Sequence, residues 1–140
     1  MLDFGSGSGI LAIAATMLGA TAVAVENDPQ AAAHARSNAA ANRAGERIEV
    51  LSALGETTDR YDLIVANILR DVLVQFASDL TARLAGEGTL VLSGLVSTDV
   101  PTTAAHYNRR LGGRRPEVYA RGEWRALVWR NQAAPPLDRP

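Results

Sequence analysis

The chain has 140 residues, of which 47% are hydrophobic and 21% are charged, and its formal net charge is −1. This length supports one domain with a hydrophobic core, and the near-neutral charge gives no electrostatic argument for a nucleic-acid or anionic-membrane partner. The chain has no cysteine, which excludes disulfides, thiolate catalysis and thiolate metal sites. No apolar run approaches the roughly 20 residues that span a bilayer, so we expect a cytoplasmic protein without a membrane partner.

The chain opens on a short apolar strand, residues 2–4, and then carries glycines at positions 5, 7 and 9. An apolar helical run over residues 10–18 follows directly. Glycine permits a tight turn and leaves no Cβ between the backbone and a ligand, and the amides at a helix start bind phosphates or carboxylates. The pattern therefore predicts a nucleotide-type binding loop formed by Gly5, Gly7 and Gly9.

The rest of the sequence alternates between strand-like and helix-like segments. We predict strands at residues 21–25, 48–51, 61–66 and 89–95, helices at 28–44, 71–84 and 101–111, and a hairpin-like pair at 117–120 and 125–129. This alternation predicts an α/β fold with a doubly wound, mostly parallel, Rossmann-like sheet that ends in an antiparallel strand. We expect one domain over residues 1–130 and a disordered, proline-rich tail over residues 131–140.

Polar side chains follow two of the predicted strands. Glu26 ends the second strand, about 20 residues after the glycine loop, where an acid can bind both hydroxyls of a ribose. Asn67 ends the fourth strand. Ligands of open α/β sheets bind beyond the carboxyl ends of the strands, at the point where the strand order reverses. Each feature alone is typical of a turn or a cap, but their order along the chain favours a cofactor site.

Two ligand classes compete for the glycine loop. Residues 7–12 fit the G-x-G-x-x-G/A pattern of dinucleotide-binding enzymes. The turn should begin where the strand ends, at Gly5. When the pattern starts at Gly5, its sixth position, which should be glycine or alanine, is Ile10. The spacing Asp-x-Gly-x-Gly-x-Gly that begins at Asp3 instead resembles the S-adenosylmethionine loop of the seven-strand methyltransferases. Asn67 favours the methyltransferase because dinucleotide folds need no polar side chain there, and an oxidoreductase is the less favoured alternative.

Five segments together resemble the motifs of one family, in that family's order. They are residues 2–15 (LDFGSGSGILAIAA), 26–31 (ENDPQA), 65–69 (VANIL), 92–95 (LSGL) and 122–124 (GEW). The chain resembles the PrmA family over roughly residues 1 to 130. That family methylates amino groups on protein eleven of the large ribosomal subunit.

The resemblance implies an S-adenosylmethionine-dependent methyltransferase whose seven-strand fold is truncated at its N-terminus. It implies that Glu26, where the family usually has aspartate, binds the ribose, and that Asn67 lines the methyl-transfer site as the catalytic residue. Asp3 either contacts the cofactor or bonds backbone amides near the loop, and these two alternatives remain open. The residues implied in cofactor binding are Asp3, Gly5, Gly7, Gly9, Glu26, Asn27 and Asn67.

The resemblance also implies a protein substrate, with a large-subunit ribosomal protein as the candidate, and no direct binding of nucleic acid. Family members carry an N-terminal substrate-recruiting domain, so we expect this chain to be the catalytic domain only. A non-catalytic cofactor-binding remnant is the alternative from a different functional class. We expect the Asn67 side-chain carbonyl and the Ile68 backbone carbonyl to orient the acceptor amine, because an amide cannot act as a general base.

Other conspicuous residues have simpler interpretations. His34 and His106 are distant from each other and have no nearby acids, so we predict no metal site. Arginines 109, 110, 114 and 115 are typical of a solvated basic turn. Trp124 and Trp129 flank the apolar run of the last strand, and we predict that both pack in the core.

Overall fold

The computed structural model describes residues 1–130, which form one mixed sheet and five helices. The strands are β1 Leu2–Phe4, β2 Ala22–Val25, β3 Ile48–Leu51, β4 Tyr61–Asn67, β5 Leu84–Val96, β6 Glu117–Arg121 and β7 Trp124–Arg130. The helices are α1 Ile10–Met17, α2 Pro29–Ala41, α3 Arg70–Gln75, α4 Ala77–Ala82 and α5 Val100–Arg110. The predicted tail, residues 131–140, lies outside the described residues.

The seven strands follow the order β3-β2-β1-β4-β5-β7-β6. Strands β1 to β5 are parallel, whereas β7 runs antiparallel to both β5 and β6. The strand order reverses beside β1, which pairs with β2 on one side and β4 on the other. This arrangement confirms the predicted doubly wound α/β fold and its antiparallel end, and it places the switch point next to the glycine loop.

Two hydrophobic clusters fill the two sides of the sheet, because alternate side chains of a strand point to opposite faces. The cluster beside α3, α4 and α5 contains leucines and aromatic rings, and its Tyr107 hydroxyl donates a 2.7 Å hydrogen bond to the Leu73 carbonyl. The cluster beside α1 is built from Ala12, Ala22 and Ala24. Small side chains let α1 approach the sheet closely, which keeps the loop before it against β2.

Helix α2 starts as predicted: the Asp28 carboxylate accepts a 2.8 Å bond from the Gln30 amide, and Pro29 occupies the first turn. The predicted helix extended to residue 44, which is too far along the chain. The helix stops at Ala41, and Arg43 then takes a left-handed φ of 55°, which α-helical backbone does not allow. The bounds of β1 and β3 agree with the prediction, and those of β2, β4, α1, α5 and the final hairpin differ by one or two residues.

The predicted helix over residues 71–84 was wrong in two respects. It is two short helices, α3 and α4, separated at Phe76, and its last residue, Leu84, already belongs to β5. Leu84 pairs with Tyr61 and Thr89 pairs with Leu63, so residues 85–88 bulge from the strand rather than precede it. Two glycines in this segment remove the helical preference, and sheet pairing then decides its conformation.

The prediction for the two tryptophans was half right. Trp129 is 2% exposed, and its indole donates a 2.9 Å hydrogen bond to Asn108 Oδ1. Trp124, the first residue of β7, is 54% exposed. Within residues 1–130, no helix has the length and apolar character that crossing a bilayer requires.

Candidate functional site

Two cavities open at the carboxyl ends of the parallel strands, on either side of Ile68. The first, which we call the Glu26 cavity, has a volume of about 490 Å³ and is lined by residues that follow the strands and by the α3 region, among them Gly5, Glu26, Asn27, Leu54 and Phe76. The second, the Asn67 cavity, has a volume of about 590 Å³ and is lined by Asn67, Ile68, Leu69, Ser93, Gly94 and Trp124. Ile68 and Leu69 line both cavities and therefore form the boundary between them.

The glycine loop is fixed against β2 by backbone hydrogen bonds. The amides of Gly5 and Ser6 both donate to the Val25 carbonyl, at 2.9 and 3.1 Å. Gly5 has a left-handed φ of 75°, and a Cβ there would collide with the Ile68 side chain. Only glycine satisfies both conditions, so the loop after β1 and the residues after β4 touch directly at the switch point.

The Glu26 carboxylate joins the loop to the end of β2. Its Oε2 accepts a 2.8 Å hydrogen bond from the Gly7 amide, and its Oε1 accepts a 3.0 Å bond from the Asp28 amide. An ionised carboxylate has about four acceptor positions, so capacity remains for donors in the cavity that the residue lines. Glu26 therefore shapes the loop and offers a negative charge to a ligand at the same time.

Asp3 lies beneath the loop and is 1% exposed. The start of α1 has no side-chain cap from Gly9, and Asp3 Oδ2 instead accepts a 3.1 Å bond from the Ala12 amide. Its Oδ1 has no hydrogen-bond partner within residues 1–130. Burial raises the pKa of Asp3 to about 6, against the Ala12 hydrogen bond and with a smaller contribution from the Glu26 charge. This geometry favours the alternative in which Asp3 bonds backbone amides.

The opposite wall of the Glu26 cavity is apolar, and the sequence analysis did not identify it. Leu54 is 5% exposed, and the rings of Phe4 and Phe76 meet with their centroids 4.9 Å apart. The turn before Leu54 is held by Glu56, whose Oε1 accepts the amides of Ser52 and Ala53. The available signal was positional: residues 52–55 follow β3, the third parallel strand, and so end at the same edge of the sheet.

Asn67 ends β4 beside the second cavity, where its side chain is exposed. The neighbouring Leu69 and Trp124 are 75% and 54% exposed. The residues that line this cavity carry no formal charge. Amide and carbonyl oxygens beside apolar surface suit a neutral polar group that donates hydrogen bonds, rather than an ion.

The structure brings most of the predicted site residues to this edge of the sheet. Gly5, Glu26 and Asn27 line the Glu26 cavity, Asn67 lines the Asn67 cavity, and Gly7 is bonded to Glu26. Asp3 and Gly9 line neither cavity; Gly9 is the N-cap of α1, and Asp3 accepts a hydrogen bond from the first turn of that helix. A cavity of about 730 Å³ at the opposite edge, beside Met1 and Arg47, contains none of these residues. Ligands of such sheets bind at the carboxyl edge, so we assign the site there.

Comparison with known proteins gives consistent matches. A family model described as "Ribosomal protein L11 methyltransferase (PrmA)" matches residues 1–132. The ribosomal protein L11 methyltransferase of Heliobacterium modesticaldum is 39% identical over 133 residues, which are 93% of this chain and 42% of that protein. That of Methylococcus capsulatus is 43% identical over 123 residues, 87% of this chain and 42% of that protein. The chain thus spans about two fifths of the length of these relatives.

Solved structures show the same fold. A ribosomal protein L11 methylase from Lactobacillus delbrueckii subsp. bulgaricus superposes with a TM-score of 0.80 at 30% identity, over 92% of this chain and 68% of that one. An RNA methyltransferase from Salinibacter ruber, in complex with S-adenosyl-L-homocysteine, superposes with a TM-score of 0.74 at 20% identity, over 98% of this chain and 83% of that one. The second likeness concerns the fold alone.

Proposed function

The chain belongs to the family of ribosomal protein L11 methyltransferases (PrmA), and from this membership we propose that residues 1–130 form an S-adenosylmethionine-dependent methyltransferase domain acting on protein amino groups. The observation that carries the proposal is the pair of adjacent cavities, divided by Ile68 and Leu69, at the switch point of the sheet. A transfer reaction needs two binding sites whose ligands come close together, and two cavities that share Ile68 and Leu69 are adjacent enough to provide this.

The Glu26 cavity fits the cofactor. Its apolar wall, which includes Leu54 and Phe76, suits a flat heteroaromatic base, and the Glu26 carboxylate suits the two hydroxyls of a ribose. The glycine at position 5 lets a ligand approach the backbone where β1 ends. We assign direct contacts to Gly5, Gly7, Glu26 and Asn27, and an indirect role to Asp3 and Gly9, which hold the loop.

When bound, S-adenosylmethionine supplies an electrophilic methyl group on a positively charged sulfur. The protein's residues therefore need to align the acceptor rather than activate the donor, and alignment requires reacting atoms about 3 to 3.5 Å apart. A lysine amine must first lose its proton, since its ordinary pKa is about 10.4. Asn67 Oδ1 and the Ile68 carbonyl accept N–H bonds and direct the lone pair of the neutral amine, whose proton goes to solvent.

We propose ribosomal protein L11 as the acceptor, because that is the substrate in the names of the relatives. The Asn67 cavity supports a protein acceptor: it is open, neutral and bordered by the exposed apolar side chains of Leu69 and Trp124. Such a border can hold the backbone and flanking side chains of a protein while the amine reaches Asn67.

Calorimetric titration with S-adenosylhomocysteine tests the proposal, with NAD as the control ligand. We expect saturable binding of S-adenosylhomocysteine alone, weakened about 10- to 100-fold by Glu26→Ala, because hydrogen bonds to a charged group contribute about 1.5 to 3 kcal/mol. The matched control is Glu87→Ala, which removes an exposed carboxylate in β5. Binding of NAD in place of S-adenosylhomocysteine would replace the proposal with an oxidoreductase.

Radiolabelled methyl transfer to purified ribosomal protein L11 tests the second half of the proposal. Transfer by the chain would establish activity. Binding of S-adenosylhomocysteine without transfer to L11 would leave the chain as a cofactor-binding domain without this enzymatic activity.

A further inference from the structure

Strand β5 contains a β-bulge beside Asn67. In the parallel pair, Asn67 lies opposite Ser93. On the other side of β5, Leu92 pairs with Leu127 and Leu95 pairs with Arg125, so β5 advances three residues while β7 advances two. The extra residue falls at positions 93–94. Bulges next to active sites commonly redirect a side chain, which makes this one a candidate for positioning Asn67.

Gly94, within the bulge, packs against the groups that we assign to the acceptor amine. Its φ is +78°, and a Cβ at this position would lie 2.8 Å from Asn67 Oδ1 and 3.0 Å from the Ile68 carbonyl oxygen. Ordinary van der Waals contact begins at 3.4 Å. Any side chain at position 94 would therefore move both acceptor oxygens, and only glycine also adopts this φ without strain.

Asn67 is exposed, and Gly94 lies close to one side of its amide. Among residues 1–130, its side chain makes no hydrogen bond, so no donor or acceptor fixes the direction of Oδ1. The backbone of the bulge restricts it from one side, and the strand pairing with Ser93 restricts its own backbone. The position of Oδ1 thus depends directly on the absence of a side chain at residue 94.

We propose that Gly94 is a positioning residue: the bulge in β5 sets Asn67 Oδ1 and the Ile68 carbonyl at the rim of the Asn67 cavity. This inference rests on the proposed function for its chemical meaning. The geometric part, that residue 94 controls the Asn67 amide, does not depend on any ligand. The two parts therefore have separate tests.

The first test follows the Asn67 side-chain amide by ¹H–¹⁵N NMR in the unliganded chain. The signal pair is identified as the one absent from Asn67→Ala. We expect Gly94→Ala to shift this pair and Gly113→Ala to leave it unchanged. Gly113 is the matched control because its φ is +80° and a Cβ there would meet nothing within 4 Å, so it reproduces the backbone strain without the contact.

The second test is a double-mutant cycle on methyl transfer from S-adenosylmethionine to ribosomal protein L11. We expect Gly94→Ala to lower kcat about 10- to 100-fold, since a misplacement of about 1 Å can have an effect of that size. The Kd for S-adenosylhomocysteine should stay within about threefold. In the Asn67→Ala background, Gly94→Ala should lower kcat little further, because residues that act through one contact are not additive.

The outcomes separate the two proposals. An unchanged Asn67 signal in folded Gly94→Ala, or additive effects on kcat, would overturn the positioning role while the methyltransferase function stands. Failure of the unmodified chain to bind S-adenosylhomocysteine would overturn the proposed function, and the NMR comparison would still decide the geometry. If Gly94→Ala is too unstable for the NMR comparison, a double-mutant cycle on the unfolding free energy replaces it: coupling with Asn67→Ala supports the contact, and additivity overturns it.

Discussion

The two cavities are held by different kinds of interaction. The polar side of the Glu26 cavity is held by hydrogen bonds within residues 3–26, such as Glu26 with the Gly7 amide and Asp3 with the Ala12 amide. The Asn67 cavity is held by strand register and packing between distant segments, which bring Asn67, Gly94 and Trp124 together. The polar side of the first cavity is therefore encoded in one continuous segment, whereas the second cavity appears only when the sheet has formed.

The cavities also differ in charge. Glu26 lines the first, and the buried carboxyl of Asp3 lies under the loop beside it. The residues lining the second are all neutral. Negative charge stabilises a cationic cofactor, and a neutral cavity favours an uncharged amine over an ammonium ion. The separation of charge along one sheet edge thus matches the two roles we propose, and it can be tested on each side.

The largest effect we expect is on stability, on the Glu26 side. The pKa of Asp3 is raised from an ordinary 3.8 to about 6, so the folded state binds a proton more tightly than the unfolded state. Stability from this group is therefore greatest at low pH and declines as pH rises from about 4 to 6. The decline amounts to about 3 kcal/mol, at about 1.36 kcal/mol per pKa unit. The Asp3→Asn variant should lack this decline in stability.

Chemical denaturation between pH 4 and pH 7 measures this effect as the difference in unfolding free energy between the unmodified chain and Asp3→Asn. Asp59→Asn, which neutralises an exposed carboxyl, is the control and should track the unmodified chain. A pH-independent difference for Asp3→Asn would mean that Asp3 is not a buried, desolvated acid. The contrast in charge between the two cavities would then rest on Glu26 alone.

On the Asn67 side, the expected effect is on catalysis. Asn67→Ala removes an acceptor that orients the amine, and kcat should fall about 100-fold, the loss associated with a misplaced reacting group. The Kd for S-adenosylhomocysteine should change less than about threefold. Steady-state kinetics with ribosomal protein L11, alongside calorimetry, separate these quantities. Asn42→Ala, at the exposed end of α2, is the control. Equal losses in kcat and affinity would place Asn67 in the cofactor site and argue against separate roles for the two cavities.

The same division explains what the sequence could predict. The glycine loop, the cap at Asp28 and the acid at Glu26 are local patterns, and the structure places them as expected at the edge of a doubly wound sheet. Asn67 was found because a strand pattern ended at it, and the parallel sheet brings all such ends together.

The missed features depend on contacts between distant segments. The bulge at residues 93–94 exists because β5 pairs with β4 in one register and with β7 in another. Trp124 was predicted in the core because its neighbours are apolar, yet its position at the first residue of β7 leaves it exposed. Leu54 and Phe76 become one apolar wall only when the segments that follow β3 and α3 come together. Local periodicity contains none of this information.

Exposed Trp124 gives the last and smallest effect, and it tests whether the Asn67 cavity receives a protein. An indole that is 54% exposed contributes little to the fold, so Trp124→Ala should change the unfolding free energy by less than about 0.5 kcal/mol. Loss of its contact area should raise KM for ribosomal protein L11 about tenfold, as for an aromatic residue at an interface, with kcat unchanged. Tyr119→Ala is the control, because Tyr119 is 50% exposed on neighbouring β6 but does not line the cavity. Equal KM values for the two variants would show that ribosomal protein L11 does not contact Trp124. The Asn67 cavity would then bind the acceptor amine without help from this indole.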